Sequence, residues 1–236
     1  NDTVYFQFET NGYVPLYGET TPLTEALRFL KAVFGLGIAL RLFDFRSEYT
    51  PPVESHMFVH RHFDGAWNLD NRFSLNDTET QLINSLCVVS PNGKANSEEI
   101  QVRLANHGLN ELSTILNIGK KAELILLAAE WLFESYVGTD ELLHFVRSMV
   151  ALEIILGNGD QEEEISTGVL LRNRCAYLIG TTHSQREEIL RDFANIYRVR
   201  SQIVHRGKRG LSADERTQLS KLRWMCRRVI RREFEL

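Results

Sequence analysis

The chain has 236 residues, 43% of them hydrophobic and 25% charged, with a formal net charge of −4. This length suits one large or two small domains, and the apolar fraction is ample for a buried core, which excludes a disordered chain. The longest apolar stretches, Ala26–Phe45 and Ala122–Phe133, are broken by Arg28, Lys31 and Arg41 and by Glu123 and Glu130, so neither is a membrane span.

The chain opens on Asn1 and enters the strand-like Val4–Phe8 almost at once, as a piece of something longer would, with no visible secretory signal. Thr21, Pro22 and Glu25 have the order of a cap, a first-position proline and a first-turn acid, so a helix is expected from there to Phe34, before Gly35 and Gly37. Val4–Glu9, Ile38–Phe45 and Met57–Phe63 read as strands, and Pro51-Pro52 and Asp64-Gly65 as loops. Residues 1–95 are therefore expected to form a small α+β region. His60 and His62 would share one strand face near His56, but no Cys or Asp falls at zinc-site spacing and Arg61 intervenes, so no metal is expected there.

From Asn76 the pattern is helical. Asn76 with Glu79 starts one helix, Ser90-Pro91-Asn92-Gly93 is a turn, and Ser97 caps a helix ending at Gly108. A short helix runs to Leu116. Ala122–Phe133 is apolar nearly all round and is expected to be central and buried. Gly138-Thr139-Asp140 caps a helix to Leu156, an acidic loop spans Asp160–Glu164, and a helix from Ile165 to Ile179 ends at Gly180. Ser184 with Glu187, and Ser212 with Glu215, have the spacing of capping boxes for two final helices. Short connections make an antiparallel up-down bundle the natural topology for residues 96–236, an all-α region.

Cys87, Cys175 and Cys226 have no paired spacing, which fits a reducing, cytoplasmic setting and no zinc site. From Arg191 onward there are 13 Lys or Arg against 5 Asp or Glu, a net of +8, so the preceding residues carry −12. Such asymmetry is the electrostatic signature of a polyanion-binding surface, RNA or DNA first, or else of a solvated face balanced by the acidic part of the same chain.

The segment Tyr197-Arg-Val-Arg-Ser-Gln-Ile-Val-His-Arg-Gly207 concentrates this charge on one helix. Arg200 is followed by the polar Ser201 and, after four residues, by His205; upstream stands Val150-Ala-Leu-Glu-Ile-Ile-Leu156. From about Asp140 to the C-terminus this arrangement resembles the HEPN superfamily, and its Apea-like branch in particular. The resemblance implies a mainly α fold with an antiparallel HEPN-like bundle, and a metal-independent endoribonuclease of toxin or antiphage-defence type that needs no cofactor. It implies catalytic roles for Arg200, His205 and Ser201, and a homodimer joined through the motif helix. Arg198, Arg206, Lys208, Arg209, Arg223 and Arg227 are the expected RNA contacts, with Glu153 and Arg174 in support. The N-terminal region is left as a sensor or partner-binding element, and no membrane is expected.

The chemistry suits the residue types. A histidine titrating near neutrality serves as base or acid, and an arginine holds a phosphate through two parallel N–H bonds. Yet five residues on a regular helix turn through about 140°, so Arg200 and His205 point to different sides, and Arg198 is the rival nearer the histidine stripe. Glu153, on an otherwise apolar helix, requires a basic partner, with Arg174 and Arg200 the candidates. His144 and His183 have less claim. Two other readings stay open: a non-catalytic HEPN module binding a nucleotide or partner, and a nucleic-acid-binding regulator tracking phosphates with Arg223, Arg227, Arg228, Arg231 and Arg232.

Overall fold

The computed structural model describes residues 21–45, 55–74, 77–89, 108–116, 120–157 and 167–235, with isolated positions 7, 9, 98, 99, 102 and 106. Among the described residues eight α-helices dominate: α1 (Thr21–Ala39), α2 (Asp77–Ser85), α3 (Leu109–Leu116), α4 (Lys120–Glu134), α5 (Glu141–Leu156), α6 (Thr167–Ile179), α7 (His183–Arg206) and α8 (Ala213–Glu235). Two small antiparallel sheets accompany them. Strand β1 (Phe43–Phe45) pairs with β4 (Leu86–Val88), and β2 (His56–Phe63) pairs with β3 (Ala66–Ser74). The chain is thus mainly α with a minor β component.

The helix α4 is central, as its all-round apolar sequence requires: Ile125, Ala128, Ala129, Leu132 and Phe133 are all at most 1% exposed. Against it and one another pack Phe145, Met149 and Leu152 of α5, Leu171 and Cys175 of α6, Ile189, Phe193, Ile196 and Val199 of α7, and Leu222, Met225 and Val229 of α8. The α7 set recurs at intervals of three and four residues, one buried stripe that leaves the remaining faces to charge. Facing pairs make α6 and α7 antiparallel, with Gly168 beside Tyr197 and Gly180 beside Arg186, and likewise α7 and α8, with Asp192 on Lys221 and Lys208 on Glu215. Between α5 and α8 the pairs advance in the same order, Glu141 with Arg216 and Ser148 with Cys226, so the helices do not simply alternate in direction.

Several local expectations are corrected. α1 does not stop at Phe34 but continues through both glycines to Ala39, leaving only Phe43–Phe45 as strand. The glycines serve close approach instead: a Cβ at Gly35 would collide with the Ala129 carbonyl of α4, and one at Gly37 with the Phe43 ring. Phe34, Leu36 and Ile38 consequently belong to the helical core, and that core crosses the division expected near residue 95. The motif helix is capped by Thr182, two residues before the expected Ser184, with Thr182 Oγ1 accepting from the Gln185 N–H at 3.2 Å. Ser212 and Glu215 do form the expected reciprocal cap, with the Ser212 N–H to Glu215 Oε2 distance 2.7 Å. Asp140 caps α5 through the N–H groups of Leu142 and Leu143. The strand at Val4–Glu9 lies largely outside the described residues, as do the Ser90–Gly93 turn and the acidic loop.

Among the described residues no helix is long and apolar enough to cross a membrane.

Candidate active site at the end of the motif helix

The helix α7 runs unbroken from His183 to Arg206, and Gly207 ends it in the left-handed conformation, φ 61° and ψ 40°, where a side chain would be strained. Arg200 and His205 therefore stand on one continuous helix, about 7.5 Å apart along its axis and on different sides. His205 and Arg206 fall in its last turn, where positive charge is favoured by the helix dipole. Both are exposed, and among the described residues neither has a hydrogen-bond or ion-pair partner.

Arg200 is placed differently from His205: its side chain is only 27% exposed. Its Nη2 lies 3.6 Å from Glu153 Oε1 of α5, and its guanidinium is 5.9 Å from the centre of the Tyr197 ring. Tyr197 packs over Gly168 of α6, where a Cβ would come within 2.8 Å of the ring, so the absent side chain at Gly168 sets the seat of the aromatic beside Arg200. Of the two basic partners considered for Glu153, Arg200 is the one found. Arg174 instead donates from Nη1 to the Leu156 carbonyl at 2.6 Å and satisfies the C-terminal end of α5. Ser201 is half-buried one turn before His205. Arg198, the rival by helical face, is exposed and donates to Asn195 Oδ1 at 3.1 Å.

The wider set of expected RNA contacts divides. Arg206 and Arg209 are exposed, and Lys208 is held 3.0 Å from Glu215 Oε1. Burial opposes ionisation of Glu215, but the Ser212 N–H and the Lys208 ammonium outweigh it and hold the carboxyl below its usual range. Arg223 is the clear correction. It turns inward, its Nη2 donating to the Ser135 carbonyl and its guanidinium centred 4.0 Å above the Tyr136 ring. Burial there lowers its pKa, the cost of taking a guanidinium out of water. Arg227 lies half-buried beside the same tyrosine, whose hydroxyl pKa is raised by burial against the pull of both arginines. A signal for this inward turn was present in the sequence: Arg223 follows Leu219 and Leu222 and precedes Cys226, inside the apolar stripe of α8.

His144 donates through Nε2 to the Val137 carbonyl at 3.1 Å, a satisfied and nearly buried side chain. Only as an acceptor-facing N–H can that nitrogen bond a carbonyl, so the Nε2 tautomer is the one present. Cys175 and Cys226 are buried, which pushes the Cys175 thiol up to about 12 and raises Cys226 as well, so neither is a nucleophile. Among the described residues no group of three or more His, Cys, Asp or Glu is placed to hold a metal ion. The last turns of α7 and the residues after it thus carry an exposed imidazole, exposed arginines and, on another side of the helix from the imidazole, one guanidinium beside a carboxylate and a phenol ring. Compared with protein-family models, with curated proteins and with solved structures, the chain matches none.

Proposed function

We propose that the chain is a metal-independent endoribonuclease of HEPN type, acting as a toxin or in antiphage defence in the cytoplasm, with Arg200 and His205 as its catalytic pair. The observation that carries the reading is the contrast within one helix end: an exposed His205 whose ring nitrogens have no partner among the described residues, and an Arg200 held in place by Glu153 and Tyr197. In this mechanism the ribose 2′-OH attacks the adjacent phosphorus, a base removes its proton, and the 5′-oxygen leaves with a proton from an acid. The products are a 2′,3′-cyclic phosphate and a 5′-hydroxyl. An imidazole suits either proton transfer, and a fixed guanidinium suits the negative charge that builds on the phosphorane.

One copy of α7 supplies one imidazole and sets Arg200 on another side of the helix. A two-fold pair of motif helices brings two histidines and two arginines to one cleft and separates base from acid, and two-fold closure is the commonest homo-oligomer symmetry. Glu153 beneath each Arg200 offsets the repulsion between the gathered cations.

A second reading, a non-catalytic module, is favoured by the same ion pair: Arg200 held by Glu153 is also what a purely structural arginine looks like. Total RNA incubated with wild type and with His205→Ala separates the two. Cleavage lost in the variant supports the enzyme; equal behaviour of both proteins removes it.

A further inference from the structure

Away from α7, the β2–β3 hairpin presents a face that the ribonuclease reading does not use. Asp64 and Gly65 close it as a two-residue turn with φ 51° and 77°, the left-handed pair that matches strand twist. Cross-strand register sets Phe58 opposite Arg72, His60 opposite Leu69 and His62 opposite Trp67. The register shift between Val59 and His60 leaves β2 in regular alternation, so these six residues share one face. It is exposed along its length: Trp67 is 56% exposed, Leu69 59% and Phe58 40%, whereas the other face is half-buried at Met57, Val59 and Phe73 and opens only toward the turn, where Phe63 is 72% exposed.

Its composition is specific. Two aromatic rings are interleaved with imidazoles and a guanidinium, with Arg72 5.6 Å from the centre of the Phe58 ring and His62 5.1 Å from that of Trp67. No Asp or Glu occupies a register position on this face. Asp70 sits at the register shift and is bound to Arg61 at 2.9 Å. A membrane-seeking surface would be continuously apolar, and here every apolar ring has a polar neighbour.

We propose that this face binds a segment of single-stranded nucleic acid, its bases stacking on Trp67 and Phe58 and its phosphates meeting Arg72 and the imidazole N–H groups. Flat rings stack on bases of any sequence, and a cation beside each ring meets the backbone that links them. Duplex bases, already stacked, offer the rings nothing. With Arg72 as the fixed cation, stacking rather than counterion release dominates, so the dependence on salt is shallow. The proposal rests on the hairpin alone and not on the α7 chemistry.

The test is fluorescence anisotropy of a short labelled 2′-O-methyl oligouridine, alone and annealed to its complement, titrated with the full chain. Such an oligonucleotide has no free 2′-OH, so binding is read whether or not the protein cleaves RNA. The single strand is expected to bind more tightly than the duplex. Trp67→Ala should weaken it by about tenfold, as loss of one stacked base does, while Trp67→Phe keeps most of the affinity. Circular dichroism checks that each variant keeps its helical content. Single-strand affinity unchanged in both Trp67→Ala and Phe58→Ala would overturn the proposal. So would equal binding of duplex and single strand, or binding to anionic vesicles with none to the oligonucleotide.

Discussion

The end of α7 and the length of α8 are both rich in arginine, yet they hold their charge in opposite ways. Along α8, Arg216 is bound to Glu141 at 2.7 Å, Lys221 to Asp192 at 2.7 Å, and Arg231 and Arg232 share Glu235 at 3.0 and 2.6 Å. Arg223 is inside the fold on Tyr136 and Ser135. At the end of α7, Arg206 and His205 face water without a partner among the described residues. Formal charge is therefore a poor guide to charge available for a ligand: of the seven basic side chains of α8, four are held by carboxylates and a fifth, Arg223, is turned inward. This comparison weakens the regulator reading, which needs α8 as an open phosphate-tracking face.

The largest effect expected from breaking the contrast is at α7. His205→Ala and Arg200→Ala should each lower RNA cleavage by on the order of 10² to 10⁴, the usual worth of general acid–base catalysis, with helical content unchanged. Arg198→Ala should leave activity within a few-fold, because that side chain is exposed and bound only to its neighbour Asn195. The reverse ranking of Arg198 and Arg200 would show that helical face outweighs the family pattern. Mixed dimers of wild-type and His205→Ala chains sharpen the point. A composite site loses more than half of its activity in them, whereas independent sites keep half.

The opposite pattern is expected from α8. Arg223→Ala should leave catalytic chemistry alone but destabilise the fold by about 2–3 kcal/mol, the joint worth of a desolvated cation–ring contact and a charged hydrogen bond. Thermal melting measures it. An unchanged melting temperature would contradict the inward placement.

Much of the helical frame was legible in the sequence because its signals are local. The Asp140 and Ser212 caps, Gly207 and the buried character of α4 follow from single residues or one period. Gly35 and Gly37 misled because a glycine that ends a helix and one that admits a neighbouring carbonyl look alike until the neighbour, Ala129, is known. The same limit applies to the site. Glu153 announced its need for a cation, but the choice of Arg200 over Arg174 depends on how α6 and α7 lie across the end of α5. The apolar stripe of α8 marks Arg223 as inward, but its partner Tyr136 stands 87 positions earlier in the chain and no local signal names it.

A smaller effect of pH is expected from the nearly buried His144. Burial, then the nearby Arg223, lowers the pKa of His144, so the folded state holds it neutral while the unfolded chain takes up a proton below about 6.5. Protons bind the unfolded state first, so stability falls as pH drops through that range. His144→Gln, which keeps a donor for the Val137 carbonyl, should flatten the decline in melting temperature between neutral and mildly acidic pH.

The central claim is that His205 and Arg200 cleave RNA by internal attack of the 2′-OH, and the most direct measurement is the chemistry of the cut ends. RNA is incubated with the protein in excess EDTA and the termini of the fragments are identified. Undiminished cleavage with 2′,3′-cyclic phosphate and 5′-hydroxyl ends is expected, absent with His205→Ala. Cleavage abolished by EDTA and restored by a divalent ion, with 5′-phosphate and 3′-hydroxyl ends, would contradict it.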